Sequence, residues 1–300
     1  MEIKLMKALI ISDKRVGHES QSVAFCRLLG FEFEITSIKF KNKFLKILSY
    51  ILDFLRIYKN IFECELKSGY DLVVSAGSTT YYANKYYAKK NGIKNIALMM
   101  PKGFRKDFSY IFATKNDAKK ELLNLVVLPV NLNFLEKKEF YTPQKKAISF
   151  IIGGENKIYK ILPDILNKID EIMSKFSDYE CMITTSPRTP KWLENELKKR
   201  NFSFSVWFSE NKINPIYDFT HKSEFVFITQ DSVSMISEAV CNGSANVCIL
   251  ELCKNKTSKF DEFLLNLKEL NLVQIYDSNA RLKQTKKFNL KKVLESINLC

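Results

Sequence analysis

Short apolar runs alternate with helical patterns along most of the chain, and this alternation constrains the fold more than any other feature. Residues 7–11, 71–75 and 147–152 are apolar runs of strand length, and each is followed by a polar or small-residue loop and then a helical pattern. The order strand, loop, helix is typical of βαβ units, which build parallel sheets. The sequence therefore predicts an α/β fold.

The series of predicted strands is interrupted once, near the middle of the chain. Residues 131–146 contain Pro143 and a cluster of charges at 136–139, and a new series of strands starts at residue 147. A chain of 300 residues also exceeds the usual size of a single core. We therefore predict two Rossmann-like, doubly wound domains, residues 1–142 and 143–300. Their ligand loops are expected to line a shared cleft at the carboxyl ends of the strands.

The charge of the chain predicts an anionic partner. Lys and Arg outnumber Asp and Glu by 47 to 33, which gives a formal net charge of +14. This excess does not distinguish nucleic acid, acidic lipid and phosphorylated substrate from one another. An anionic partner is therefore expected, and its identity depends on the loops described below.

Cysteine and histidine usage argues against a disulfide framework or a zinc site. The seven cysteines are scattered without a C-x-x-C pair, and there are two histidines. No D-x-D motif is present, so we expect no metal and no other cofactor. No uncharged run of membrane-spanning length occurs, and residues 1–11 are too short and too charged for a signal peptide. The expected location is the cytoplasm or the periphery of a membrane.

The loop after the first predicted strand concentrates reactive side chains. It carries Asp13, Arg15, Gly17, His18 and Glu19. An imidazole ordinarily titrates near neutrality, so His18 can act as a general base, with Asp13 or Glu19 orienting it or sharing the role. The alternative is structural, namely a helix N-cap with Gly17 permitting the bend. The position of the loop after the first strand makes the two interpretations about equally good.

Two further loops are rich in small residues. Gly77 and Ser78 follow the third predicted strand, and the paired glycines Gly153 and Gly154 follow the first strand of the second half. Small residues let backbone N–H groups approach an anion at the next helix N-terminus. Neither loop is a nucleotide fingerprint, because G-x-G-x-x-G and G-K-[ST] are both absent. A tight turn explains the glycine pair equally well.

A hydroxyl-rich loop in the second half contains an arginine. Ser186, Arg188 and Thr189 lie just before a predicted helix that has Pro190 at its start. An arginine in this position can clamp a phosphate with two hydrogen bonds. The loop is therefore a candidate phosphate site.

The helix predicted from about residue 233 carries a second candidate. Asp231 or Ser232 is a good N-cap, and Ser234 lies in the first turn, where phosphate oxygens dock. Glu238 follows Ser234 by four residues on the same helical face. Its carboxylate can accept both hydroxyls of a ribose while the helix N-terminus holds the phosphates. The alternative is a capped helix with a solvated glutamate, but Glu238 has apolar neighbours and no basic partner four residues away.

Residues 40–62 form a basic and strongly apolar stretch. Five Lys and Arg residues stand there against one acid, Asp53. Apolar side chains recur at spacings of three and four at Phe44, Leu48, Ile51, Leu55 and Tyr58. This pattern predicts a basic amphipathic helix on an anionic membrane surface. The alternative is a core helix with a wide apolar face.

Taken together, the loops resemble those of the mitochondrial-fission ELM family, whose bacterial members are regarded as glycosyltransferases of the GT-B type. The matching pieces occur in family order. They are Ser12-Asp13, Arg15, Gly17-His18-Glu19 and Gln21; Ser75-Ala76-Gly77; Ile152-Gly153-Gly154; Thr185-Ser186 and Arg188-Thr189-Pro190; Asn214-Pro215; and Asp231-Ser232-Val233-Ser234-Met235 with Ser237-Glu238-Ala239. The last of these motifs is the most specific.

The resemblance implies a GT-B-like fold whose C-terminal helices cross back to the first domain, and an inverting-type, metal-independent transfer of a sugar from a nucleotide-sugar. It implies a donor site in the second half, with phosphates near Gly153, Gly154 and Arg188 and the ribose on Glu238. His18, Asp13 or Glu19 would deprotonate the acceptor, a glycolipid such as a lipopolysaccharide core at the inner face of the cytoplasmic membrane. The remaining residues implied are Ser186, Thr189, Asp231, Ser232 and Ser234 on the donor side, and Arg15, Gly17, Gly77 and Ser78 on the acceptor side.

Two other functions remain open at this point. The first is a non-catalytic, membrane-associated adaptor on the same fold, which would not need His18 or Glu238. The second is a nucleic-acid binder, which should cluster its basic residues with aromatic ones on one exposed face. Outside residues 40–62 the basic residues are spread over both halves, so we expect no nucleic acid.

Overall fold

The computed structural model describes residues 5–118, 120–297 and 299. The chain folds as two compact units. The first contains the described residues up to Phe134 and those from Leu290 onward, and the second spans Leu135–Asn289. The predicted division after residue 142 lies within the second unit. The C-terminal segment crosses back to the first unit, as the resemblance implies.

The first unit is built on a sheet of six parallel strands in the order β2-β1-β3-β4-β5-β6. In β1, Ile10 lies opposite Ile35 of β2 on one side and Val74 of β3 on the other. The strands are β1 (Lys7–Ser12), β2 (Glu32–Ser37), β3 (Leu72–Ala76), β4 (Lys94–Leu98), β5 (Tyr110–Thr114) and β6 (Leu125–Leu128), and the helices between them are α1 (Val16–Leu29), α2 (Lys43–Phe54) and α3 (Tyr81–Asn91).

The second unit has its own six-stranded parallel sheet, in the order β10-β9-β7-β11-β12-β14, and a small antiparallel pair, β8 with β13. Its strands are β7 (Ala147–Ile152), β8 (Tyr159–Lys160), β9 (Glu180–Thr185), β10 (Phe204–Val206), β11 (Phe225–Thr229), β12 (Asn246–Leu250), β13 (Cys253–Lys254) and β14 (Gln274–Ile275). Its helices are α4 (Asp164–Lys175), α5 (Lys191–Leu197), α6 (Ile216–Lys222), α7 (Val233–Cys241) and α8 (Lys259–Glu269), and α9 (Leu290–Glu295) follows in the first unit.

The central strands are buried on both faces, which explains why they are almost wholly apolar in sequence. Every residue of β7 and of β11 is buried. Helices cover both faces of a parallel sheet, so its central strands carry near-continuous apolar runs. In the second unit, Ile148, Phe150 and Phe227 of the sheet belong to one core with Ile165 and Ile169 of α4. The two predicted Rossmann-like domains are confirmed.

The strand orders identify one switch point in each sheet. In the first unit the chain winds outward from β1 in both directions, with β2 on one side and β3 on the other. In the second unit β7 has β9 on one side and β11 on the other. In open α/β sheets, loops leaving the carboxyl ends of such strands diverge and leave room for a ligand. The loops after β1 and β3, and those after β7 and β11, are therefore the places to look for a site.

One predicted helix is wrong at its start. The pattern over residues 158–175 predicts a single helix, but Tyr159–Lys160 form β8 against β13, and α4 begins at Asp164. Pro163 explains the difference, because a proline disfavours helical backbone in the residue before it and is well tolerated at a helix start.

The predicted amphipathic helix over residues 40–62 is shorter than its sequence pattern. Helix α2 covers Lys43–Phe54 and is capped by Asn42, whose Oδ1 accepts the N–H of Leu45 at 2.9 Å. It stops there because Arg56 has a φ of 57°, outside helical backbone. The fully buried residues of α2 are polar, namely Ser49 and Asp53, and the partly buried Leu52 packs against the core beside them. Within the described ranges, the structure contains no helix with the length and hydropathy that crossing a bilayer requires.

Candidate functional site

The switch point of the first sheet gathers five residues that we call the first cluster: Ser12, Asp13, His18, Glu19 and Gly77. Ser12 ends β1, and Asp13 follows it. His18 and Glu19 lie in the first turns of α1, and Gly77 follows β3. The sequence predicts each of these loops separately, and the fold brings them together because β1 and β3 are hydrogen-bonded neighbours.

An Asp–His pair is the core of the first cluster. The Nδ1 atom of His18 lies 3.1 Å from Oδ1 and 3.0 Å from Oδ2 of Asp13. The Asp13 side chain is 6% exposed and that of His18 is 18% exposed. A carboxylate that accepts a hydrogen bond from Nδ1 fixes the ring orientation and the tautomer, and leaves Nε2 able to accept a proton. The pair therefore has the geometry of an oriented general base.

Gly77 makes room for this imidazole. It has a φ of 89°, and a Cβ added there would overlap the His18 ring. The bend before α1, in contrast, does not depend on Gly17. Gly17 lies inside α1 and an added Cβ would meet nothing within 4 Å, while Lys14 carries the positive φ, at 63°. The structural interpretation that assigned the bend to Gly17 is wrong.

The other predicted acceptor-side residues lie around this pair. The Ser12 hydroxyl donates to Oε2 of Glu19 at 2.6 Å, so Glu19 fixes the loop while Asp13 orients the histidine. Arg15 is the N-cap residue of α1, and its N–H donates to Oδ1 of Asp13 at 3.2 Å. Ser78 is exposed at the start of the loop before α3.

The switch point of the second sheet gathers a second cluster, made of Gly153, Gly154, Arg188, Thr229 and Asp231. The two glycines follow β7, Arg188 follows β9, and Thr229 ends β11 just before Asp231. These strands are neighbours in the sheet, so three loops that are far apart in sequence converge at one edge.

The carboxylate of Asp231 is the centre of this cluster and is fully buried. Its Oδ2 accepts the N–H of Gly154 at 3.0 Å and the Nη2 of Arg188 at 2.7 Å. Its Oδ1 accepts the hydroxyl of Thr229 at 2.7 Å, and that hydroxyl in turn accepts the N–H of Gly153 at 2.7 Å. Asp231 is thus a positioning residue that holds Arg188, whose side chain remains 41% exposed, at the surface of the cluster.

The paired glycines are required by this close packing. A Cβ at Gly153 would overlap the Asp231 carboxylate, and a Cβ at Gly154 would overlap the backbone carbonyl of Arg188. The N–H groups of both glycines are already hydrogen-bonded within the protein. The glycines therefore let three loops meet, and the exposed part of Arg188 is the group free to contact a phosphate.

Ser186 and Thr189 hold the arginine loop in place. The Thr189 hydroxyl accepts the N–H of Ser186 at 2.9 Å and lies 3.1 Å from the carbonyl of Ile152, to which it donates. The Ser186 hydroxyl accepts the N–H of Arg188 at 3.2 Å. Both residues thus shape the loop and fasten it to the end of β7.

Helix α7 starts at the second cluster. Ser232 is its N-cap, and its hydroxyl accepts the N–H of Met235 at 3.4 Å. The first N–H groups of a helix have no partner within it, and they carry the positive end of the helix dipole. Ser234 is exposed in this first turn. The helix start is thus suited to an anion beside Arg188.

Glu238 lies one turn further along α7 and is half-buried. Burial raises the pKa of its carboxyl to about 7. Among the described residues, no hydrogen bond or ion pair of this carboxyl is found. A desolvated carboxyl without a partner is a common feature of binding and catalytic sites.

The sequence does not predict two further residues of this region, Thr229 in the second cluster and Lys287 at the end of α7. Thr229 links Gly153 to Asp231, and only its position two residues before Asp231 at a strand end could have indicated this. Lys287 donates from Nζ to the carbonyl of Ala239 at 2.7 Å, near the end of α7, and burial lowers its pKa to about 8. A cation at a helix C-terminus stabilises the helix. No sequence signal connects Lys287 to α7, since the two are 48 residues apart.

The positions of the side chains that commonly bind metals can be compared over the described residues. In the part of the chain that the structure describes, no three His, Cys, Asp or Glu side chains come together in a way that would hold a metal ion.

The fold defines a class of protein: a two-unit, Rossmann-like α/β chain with a glycosyltransferase-like fold. The glycotransferase of kitacinnamycin is similar to this chain over 93% of its length and 88% of that protein, with a TM-score of 0.50 and 10% identity. The match to Acinetobacter baumannii MurG covers 97% of this chain and 89% of that protein, with a TM-score of 0.49 and 11% identity. At 10% identity, the similarity to the glycotransferase of kitacinnamycin shows a shared fold and nothing about function.

The family model for mitochondrial fission ELM1 matches residues 16–295, so the chain belongs to the mitochondrial fission ELM1 family. The predicted family is thus confirmed. A curated relative, an uncharacterized protein of Rickettsia prowazekii, is 22% identical over 289 residues, which cover 79% of this chain and 81% of that protein.

Proposed function

We propose that the protein is a metal-independent glycosyltransferase that moves a sugar from a nucleotide-sugar to a hydroxyl of a glycolipid. The Asp13–His18 pair carries this proposal. Core packing does not explain an oriented and partly exposed imidazole at a switch point, whereas proton transfer does. The glycosyltransferase-like fold supports the same class of reaction.

The second unit is assigned the donor. Arg188 and the start of α7 provide positive charge for the diphosphate, which lies beside Ser232 and Ser234 in the first turn of the helix. Glu238, about one turn along the helix, accepts the ribose hydroxyls. This assignment gives a partner to a carboxyl that is otherwise desolvated.

The first unit is assigned the acceptor and the base. The Nε2 atom of His18 takes the proton of the acceptor hydroxyl as its oxygen attacks the anomeric carbon. The bond between that carbon and the diphosphate oxygen breaks, and the electron pair leaves with the nucleotide. Arg188 and the α7 dipole stabilise the charge that develops on the leaving phosphate, so no metal is needed for this step. Asp13 stabilises the imidazolium that forms.

The acceptor class is proposed from charge and surface. A net charge of +14 attracts the protein to an anionic surface such as the inner face of the cytoplasmic membrane. A glycolipid such as a lipopolysaccharide core presents its sugar hydroxyls there. No nucleic acid is part of this proposal.

A panel of nucleotide-sugars tests the donor assignment. We expect one of the UDP-, GDP-, ADP- or CMP-sugars to raise the melting temperature of the full chain, because a ligand stabilises the state that binds it. The shift should be lost in Glu238→Ala and kept in Glu262→Ala, a control on α8. A wild-type chain that none of these donors stabilises would overturn the donor assignment.

A non-catalytic adaptor on the same fold is the second candidate, and the family description favours it. An adaptor has no use for a proton acceptor at His18. If His18→Ala and Glu238→Ala release nucleotide from the donor as fast as the wild type, the adaptor is the better account.

A further inference from the structure

Helix α2 shows an apolar side to solvent. Phe44, Ile47 and Phe54 are 68%, 58% and 76% exposed, and Ile51 and Leu55 are more than half exposed. A surface helix ordinarily turns such a stripe toward the core. Contiguous exposed apolar side chains of this kind mark a surface that binds something.

The opposite side of α2 carries the buried Ser49 and Asp53 beside the partly buried Leu52, and it is fixed to the unit by a buried ion pair. Oδ1 of Asp53 lies 2.8 Å from Nζ of Lys85 on α3, and the Lys85 side chain is 1% exposed. The same Nζ donates to the carbonyl of Phe104, and a Cβ at Gly103 would overlap the Asp53 carboxylate. Turning the helix to bury its apolar stripe would leave Lys85 buried without its carboxylate, which is strongly unfavourable. The outward direction of the stripe is therefore set by the fold.

Cations surround the apolar stripe. Residues 38–62 contain six Lys and Arg and a single acid, Asp53, which is buried. Lys41 is exposed just before the helix, Lys43 is exposed at its first position, and Lys59 is exposed after it. A surface that is apolar in the middle and basic at both ends complements acyl chains beneath anionic headgroups.

We propose that α2 docks the protein on an anionic phospholipid bilayer, with the stripe of Phe44, Ile47, Ile51, Phe54 and Leu55 inserted among the headgroups. The flanking lysines contact the phosphates, and the Asp53–Lys85 pair keeps the stripe outward. This inference rests on the proposed function for its purpose, since a glycolipid acceptor has to be reached at a membrane. It does not require catalysis.

Flotation of the full chain with lipid vesicles tests the proposal, with no nucleotide or acceptor present. We expect binding to mixed phosphatidylcholine and phosphatidylglycerol vesicles and none to phosphatidylcholine alone. Ile47→Glu and Phe54→Glu should abolish binding. Leu265→Glu, on α8 and equally exposed at 58%, should bind as the wild type does. Lys41→Gln with Lys43→Gln should weaken partitioning roughly tenfold or more, and Lys283→Gln with Lys286→Gln, also exposed, should weaken it less.

Three results would overturn the proposal. They are a wild-type chain that ignores anionic vesicles, an Ile47→Glu chain that still floats with them, and a wild-type dimer in solution that Ile47→Glu converts to a monomer without any vesicle binding. The last would assign the stripe to a second copy of the chain. Because the assay contains no donor, a failure here leaves the nucleotide-sugar panel to judge the proposed function separately.

Discussion

At the scale of single residues, close packing decides which positions of the two clusters tolerate a side chain. Gly77, Gly153 and Gly154 each lie against a functional group or a backbone that a Cβ would overlap, whereas Gly17 lies against nothing. Four glycines that look alike in sequence therefore have different sensitivities to mutation.

The Gly77→Ala variant should lose both stability and activity. Its left-handed backbone disfavours a Cβ and the His18 ring would have to move, so we expect a loss of more than about 1 kcal/mol in the free energy of unfolding. Chemical denaturation measures this loss. Gly17→Ala is the matched control and should be neutral or more stable by up to about 1 kcal/mol, because it adds a good helix former inside α1. Equal losses in the two variants would refute the assigned role of Gly77.

The pKa of Glu238 gives donor binding a pH dependence. Ribose hydroxyls donate to the ionised carboxyl, so affinity for a nucleotide-sugar should rise by up to roughly tenfold per pH unit toward pH 7 and level off above it. Titration calorimetry between pH 5.5 and 8.5, in steps of about half a unit, would follow this rise across the expected pKa. Glu238→Gln should flatten the profile, and an unchanged slope in that variant would show that another group titrates.

The same shift affects stability with the opposite sign. The pKa of Glu238 is about 7 in the folded chain, above its ordinary value of 4.5. The folded state therefore favours the protonated carboxyl, and this contribution is complete below pH 4.5 and disappears as the pH rises through 7. The free energy of unfolding of the wild type, minus that of Glu238→Gln, should therefore fall as the pH rises from 4.5 to about 7. A difference that does not change with pH would contradict the burial of the carboxyl.

The sequence identifies most residues of the clusters but not their partners. Motif reasoning places Asp13 beside His18 because they share one loop. It cannot show that Asp231 is buried under Arg188, since the residues are 43 positions apart and the contact depends on strand order. Asp231 therefore looked like a group that contacts the donor, and the structure shows a carboxylate that positions an arginine.

At the scale of elements, buried polar groups decide how α2 lies on its unit. Hydropathy alone predicts that a helix buries its apolar stripe. The sequence pattern could predict an amphipathic helix but not the side that faces inward, because that depends on Lys85, which is 32 residues away from Asp53.

Removal of the buried ion pair should cost far more than removal of an exposed one. Asp53→Ala leaves the Lys85 ammonium buried without its carboxylate, and we expect a loss of about 3–5 kcal/mol in the free energy of unfolding. Asp170→Ala, which breaks the half-exposed pair with Arg200, should cost less than about 1 kcal/mol. Denaturation curves of the two variants compare the costs. Similar values would mean that Asp53 does not anchor α2.

At the scale of the whole molecule, the chain leaves the first unit and returns to it. Leu290 and Leu294 of α9 are buried, and α9 packs against α1. The alternation of apolar runs predicts two units, but no local pattern predicts that the chain returns to the first one. Helix α9 has only six residues, and a sequence of that length does not indicate which unit it packs on. The sequence pattern does not predict the short helix α6 (Ile216–Lys222) for the same reason, since it has only seven residues.

Leu294→Ala should destabilise the first unit and not the second. The cavity left by this fully buried side chain is expected to cost about 2–5 kcal/mol. Hydrogen exchange should show faster exchange in the strands β1 to β6 and unchanged protection in β7 to β12. Faster exchange confined to the second unit would place α9 in the wrong unit.

We propose that the Asp13–His18 pair and Glu238 both serve the transfer of a sugar from a nucleotide donor without a metal. Release of nucleotide from the stabilising nucleotide-sugar, measured in the presence of EDTA, tests it most directly. We expect release by the wild type that falls at least about a hundredfold in His18→Ala and is lost together with donor binding in Glu238→Ala. Release that requires an added divalent cation, or that proceeds unchanged in both variants, would contradict it.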